Sequence, residues 1–111
     1  MIRFRVIEGE RARRDPIHEL LQVEYVALRA VAREFGAELA MPTISTSVVM
    51  DRRSCAAAYE AITPIDQAAL DYHIDRRLPG EAADELRARW RRMETALKAG
   101  TAGDGLEIRI G

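Results

Sequence analysis

The stretch Pro16 to Phe35, PIHELLQVEYVALRAVAREF, most constrains what this chain can fold into. At ~100° per residue, Ile17, Leu21, Leu28, Val31 and Phe35 fall on one stripe. The seam Leu21, Glu24, Leu28, Val31, Phe35 has coiled-coil-like spacing with a carboxylate at one inward position. Asp15 offers an N-cap acceptor, Pro16 suits the first helical position, and Gly36 supplies a left-handed stop. The spacing therefore predicts a helix over about 16–35. Such a helix needs a second layer, and that layer must answer Glu24.

The second layer is visible at Glu81 to Ala99. Ala83, Leu86, Trp90, Met93 and Leu97 repeat at the same spacing and define a narrow apolar seam. Glu81, Asp84 and Glu85 sit at the positive end of this helix dipole, Lys98 sits at the negative end, and Gly100 reads as the stop. Arg89 and Arg92 flank the seam and are the candidate partners of Glu24.

Three segments read as strands. Ile2, Phe4 and Val6 alternate with Arg3 and Arg5 over 2–7. Thr43 to Met50, TISTSVVM, is rich in β-branched residues. Leu106, Ile108 and Ile110 alternate with Glu107 and Arg109 over 105–110. The charged segment 8–15, EGERARRD, reads as a loop. Two shorter helices are expected between the long ones, at 55–62 with Ser54 as cap and at 64–77 with Thr63 as cap. The second is apolar on two sides: Ile65, Ala68, Ala69 and Tyr72 on one, Leu70, Ile74 and Leu78 on the other. Leu78-Pro79-Gly80 then breaks the chain. A helix apolar on both sides is expected to be sandwiched, within the fold or between subunits.

The expected architecture is α+β in a single globular domain, 1–111. A small three-stranded sheet (about 2–7, 43–50, 105–110) packs against two long helices (about 16–35 and 81–99), with two shorter helices (55–62, 64–77) between them. The first two strands can run parallel through a right-handed crossover, and the strand order stays open.

Composition narrows the function classes. A net charge of −1 argues against a dedicated nucleic-acid or membrane-surface protein. No apolar run reaches 18 residues, so no membrane partner is expected. Charges interrupt the N-terminal apolar pairs, so no signal peptide is expected, and the location is read as the cytoplasm or an assembled particle. Cys55 is the single cysteine, which rules out an internal disulfide.

Catalytic patterns are missing. There is no G-x-S-x-G, no phosphate-binding glycine run and no dinucleotide fingerprint. His18-Glu19 lacks a ligand three or four residues on, and His73, two residues from both Asp71 and Asp75, points away from them on a helix, so the three cannot close round one ion. No metal and no cofactor are expected. Cys55 reads as an inert buried thiol, and Glu24 is the weak catalytic candidate.

The sequence therefore favours a non-enzymatic interaction or structural protein, acting through self-association or docking into a larger assembly. A phage or mobile-element particle component, or a protein inhibitor, would fit. A homo-oligomer or a protein partner is expected, with Leu70, Ile74 and Leu78 and the hydroxyl face Thr43, Ser45, Ser47 as the interaction surface. The alternative is a small nucleic-acid-binding regulator using Arg3, Arg5, Arg11, Arg13 and Arg14, disfavoured because acids interleave with these arginines. The third is a small enzyme built around Glu24.

Overall fold

The computed structural model describes residues 1–78 and 80–111. The chain is a small α+β domain with four helices and an antiparallel sheet, in the order β1 (Ile2–Glu8), β2 (Arg11–Ala12), β3 (His18–Leu20), α1 (Gln22–Glu34), β4 (Ser47–Met50), α2 (Arg52–Ile62), α3 (Gln67–Arg77), α4 (Glu81–Ala102) and β5 (Leu106–Ile110). A single 3-10 turn, Glu38–Ala40, follows α1. Among the described residues no helix is long and apolar enough to cross a membrane.

The C-terminal strand organises the sheet. β5 lies between β1 and β4 and is antiparallel to both, with Phe4 opposite Ile108 and Val48 opposite Ile108 on its other side. β1 and β4 are therefore not neighbours, and no parallel crossover pair forms. On its other edge β1 takes two short strands. β2 returns through a two-residue turn at Gly9–Glu10, where Gly9 has φ 65, the positive value such hairpin turns need. β3 pairs with the first half of β1, with Phe4 opposite His18. The sheet thus has five strands.

One sheet face is apolar. Ile2, Phe4 and Val6 of β1, Leu106 and Ile108 of β5, and Met50 of β4 are buried. α4 packs across this face and is flanked by α1, α2 and α3. Its seam Ala83, Leu86, Trp90, Met93 and Leu97 is buried throughout, as its spacing predicts. Each such large side chain contributes roughly 1.5–3 kcal/mol through burial. Arg87 then ties α3 to α4: it donates to Asp71 at 3.0 Å, to Asp84 at 2.8 Å and to Asp75.

Several boundaries differ from the sequence expectation. The first long helix starts at Gln22, not at Pro16. The backbone of 17–20 is drawn to the edge of β1, where Ile17 donates to the Phe4 carbonyl at 2.8 Å and His18 and Leu20 turn inward. The buried stripe of α1 is accordingly Tyr25, Leu28, Val31 and Ala32, while Leu21 is 51% exposed. The strand expected over 43–50 begins only at Ser47, opposite Arg109, because the chain bends at 45–46 and meets β5 there only through the Thr46 carbonyl. Asp51 caps α2 through the Ser54 amide, and Asp66 caps α3 through the Ala69 amide, in place of Ser54 and Thr63. A carboxylate accepts an amide hydrogen more strongly than a hydroxyl does.

The last helix runs through Gly100 to Ala102. A Cβ at Gly100 would lie 2.7 Å from Cys55 Sγ and 2.8 Å from Leu106 Cγ, so this glycine allows α4 to approach α2 and β5. α3 is covered on one side only. Leu70 and Ile74 are buried in this chain's own core, whereas Tyr72 on the opposite side is 59% exposed. Leu70 and Ile74 are therefore not surface, which corrects their expected role in docking; Leu78 is half-buried against the same core. Pro79, in the expected break, lies outside the described residues.

Candidate functional site

β4 forms a free edge of the sheet. β4 pairs with β5 on one side, and among the described residues no strand pairs with its other side. Native edges are commonly protected by charge, proline or a bulge. This one carries no charged side chain from Leu39 to Met50. Thr43, Ser45, Thr46, Ser47 and Val49 are exposed, Val49 by 66%. Ile44 and Val48 are half-buried and hold the segment onto the core. Within 43–46 the one internal backbone hydrogen bond is the Thr46 carbonyl accepting from Ile110 at 2.9 Å, and the amides of 43–46 donate to nothing among the described residues.

Local contacts fix where this edge begins. Tyr25 Oη donates to the Pro42 carbonyl at 2.7 Å, and Arg29 Nε donates to the Met41 carbonyl at 3.0 Å. α1 thus holds residues 41–42 in place, and from there the chain runs through a bend at 45–46 into β4. Between α1 and residues 43–44 lies a cleft of about 720 Å³, with Val26, Ala30, Ile44 and Ile110 on its apolar side and Arg29 and Arg33 on its rim. Val26 is 67% exposed. Edge and cleft share Thr43 and Ile44 and form one continuous surface.

The Thr43, Ser45, Ser47 set therefore lies at the surface, but only Ser47 belongs to a strand. Val49 and the α1 side of the cleft were not singled out in the sequence. Val26 carried a signal, since it stands off the apolar stripe of its helix, yet an isolated exposed valine is common and tells little by itself.

Glu24 sits elsewhere. One carboxylate oxygen accepts from the Leu21 amide at 2.7 Å, capping α1; the other lies 3.5 Å from Arg89 Nε of α4. Arg89 is also 3.5 Å from Glu85. Glu24 thus closes a helix end and faces an arginine across the helix pair, both structural tasks. Glu24→Gln retains an oxygen for the Leu21 amide and is expected to cost under about 1 kcal/mol, whereas Glu24→Ala loses cap and ion pair together and costs about 1–2 kcal/mol. Urea denaturation of the two variants separates these contributions. A loss above about 3 kcal/mol for Glu24→Gln would instead show that the charge itself holds the helix pair.

The arginines of the nucleic-acid alternative do not converge as a free basic patch. Arg3 is 3.2 Å from Glu19 and also donates to the Gly111 carbonyl; Arg5 donates to the Arg14 carbonyl at 3.3 Å and stands opposite Glu107; Arg13 is bonded to Glu8. Arg11 and Arg14 are exposed around the β1–β2 hairpin. His73 packs edge-on against Phe35 with ring centres 5.1 Å apart, and Asp71 and Asp75 turn to Arg87. Cys55 is buried beneath Gly100, and desolvation pushes its thiol up to about 11, so it carries no thiolate at neutral pH.

Fold and site together define a small α+β domain with a short, uncharged free sheet edge that follows Pro42. Comparison with protein-family models, with curated proteins and with solved structures finds no match to this chain.

Proposed function

We propose that this chain is a non-enzymatic interaction protein that joins other chains along its 43–50 edge, and that its first partner is a second copy of itself. The supporting observation is the uncharged edge, whose residues 43–46 leave their backbone amides without internal partners. Pairing two such edges about a two-fold axis sets the segments antiparallel, the orientation that lets each strand extend the other's sheet. No charge opposes another across that junction, because 39–50 holds none. The hydroxyls of Thr43, Ser45 and Ser47 can bond across strands, and Val49 supplies apolar contact. The neighbouring cleft adds area that a strand pair alone lacks.

Light scattering across a concentration series tests this. Wild type is expected to approach twice the 12.5 kDa chain mass as concentration rises. Val49→Lys places a charge on the exposed edge and is expected to weaken association at least tenfold while leaving the helical circular dichroism signal intact. Wild type that stays at the monomer mass across the series would overturn the proposal. So would a Val49→Lys variant that associates as well as wild type.

A further inference from the structure

The cleft beside the sheet edge combines an apolar wall with positive charge. α1 lays one face along it, with Val26, Ala30 and Arg33 following at helical spacing and Arg29 beside them. Ile44 and Ile110, both half-buried, line it from the sheet side. Arg33 lies about 10 Å further along α1 than Val26, at ~1.5 Å per residue. At about 720 Å³ the cleft has the size of a small-molecule site, and such sites are mostly apolar with a few placed polar groups. Its walls are held by the chain itself, through Tyr25 Oη on the Pro42 carbonyl and Arg29 Nε on the Met41 carbonyl.

The charges restrict what such a cleft can hold. Four charged side chains line it: Arg29, Arg33, Glu34 and Arg77. Glu34 is 3.3 Å from Arg77, and these two cancel. Neither Arg29 nor Arg33 has a carboxylate within ion-pair distance among the described residues. Arg33 is exposed, and the one side-chain hydrogen bond of Arg29 uses Nε, which leaves its two terminal nitrogens for another acceptor. The cleft therefore carries two uncompensated positive charges toward one end and an apolar wall along the rest.

We propose that this cleft binds a small anionic amphiphile, its head group at Arg29 and Arg33 and its apolar chain along Val26, Ala30, Ile44 and Ile110. The planar guanidinium fork matches the oxygens of a carboxylate or a phosphate. The apolar chain covers Val26, which is 67% exposed. The site lies within one chain and does not rest on self-association.

Sodium octanoate is the probe, titrated into the full chain at constant ionic strength, with the methyl resonances of Val26, Ile44 and Ile110 as readout. All three are expected to shift along one saturable curve. Octan-1-ol, the same chain without the charge, is expected to bind about tenfold more weakly. Arg33→Ala, an exposed substitution, is expected to weaken octanoate binding about tenfold and to leave octanol binding unchanged. Octyl phosphate in a parallel titration tells which head group the arginines prefer, and saturable binding of either anion supports the site. Octanol that binds as tightly as octanoate would overturn the proposal. So would an Arg33→Ala variant that binds octanoate as wild type does, or the absence of saturable shifts with both anions. Val49→Lys, which alters the edge and not the cleft, is titrated as well. Shifts confined to wild type would place the ligand between two copies and overturn the proposal. Shifts in Val49→Lys alone would support it and show that pairing covers the cleft.

Discussion

Gly105→Ala is expected to destabilise the chain by about 3–5 kcal/mol, the largest loss of any single-methyl addition outside the helices. Gly105 joins the end of α4 to β5 at φ 116, a backbone conformation that L side chains rarely adopt. An added Cβ would lie 2.2 Å from the Met50 carbonyl oxygen and 3.0 Å from Asp51 Cα. Both obstacles are backbone, so no rotamer change relieves them. The strained conformation costs about 1–3 kcal/mol and the overlap a similar amount. Relief requires β4 to move away from β5 where Met50 faces Leu106. The loss should appear in the denaturation midpoint, and amide exchange should speed up most in β4. Gly36→Ala is the control: its φ is 67 but nothing lies within 4 Å of the added carbon, so it should lose only about 1 kcal/mol. Equal losses at the two sites would show that β4 does not press on Gly105. Because β4 is the proposed docking edge, Gly105→Ala should also weaken self-association.

The second large effect is acid destabilisation through His18. Desolvation, reinforced by the positive charges of Arg89 and Arg92, lowers its pKa from 6.5 to about 4. Above pH 6.5 the imidazole is neutral in both the folded and the unfolded chain and contributes no pH dependence. Between 6.5 and about 4 the unfolded chain binds a proton that the folded chain refuses, so stability falls as pH falls through that window. Below about 4 both states are protonated and the loss is complete, at roughly 2–3 kcal/mol. His18→Leu removes the titrating group and two unpaired buried nitrogens with little change in volume. It should be close to wild type or more stable at pH 7. Its advantage should then grow by roughly 2–3 kcal/mol at pH 4. Parallel stability profiles for wild type and His18→Leu would show that His18 protonates freely in the folded chain.

His18 also marks where local patterning stopped being informative. In the sequence it stands inside a helical-looking run that begins with an ideal Asp-Pro start. The run is ambiguous because Ile17 and Leu21 satisfy a helix stripe while His18 and Leu20 satisfy a strand alternation. The open edge of β1 resolves the ambiguity, and an edge built from residues 2–4 is not a property of residues 17–20. Glu24 moved with it. With the helix beginning at Gln22, the carboxylate left the core stripe and became the cap of its own helix, facing Arg89.

The two faces of α3 show a different kind of shortfall. Its composition placed apolar residues on both sides, but burial depends on which side α4 occupies. α4 and the core took Leu70 and Ile74 and left Tyr72 in water. Of the expected interaction surface, the part that stays exposed is the segment at β4, which has β5 as a neighbour on one side only. The Ser/Thr pattern of 43–47 was visible beforehand, whereas the freedom of its amides was not, since hydrogen bonding is a property of pairs of segments.

By itself the sequence determined the α+β class, the three principal strands and the α4 seam with Trp90 and Met93 at its centre. These rest on periodicity within one segment, and the burial of one face follows directly from it. Only the tertiary structure decided the insertion of β5 between β1 and β4, the recruitment of 18–20 to the sheet, the burial of His18 against Phe4 and the free edge at 43–50. Each of these depends on which distant segment satisfies a backbone or side-chain group. Many partners have similar local suitability, and the choice is made by packing the whole chain at once.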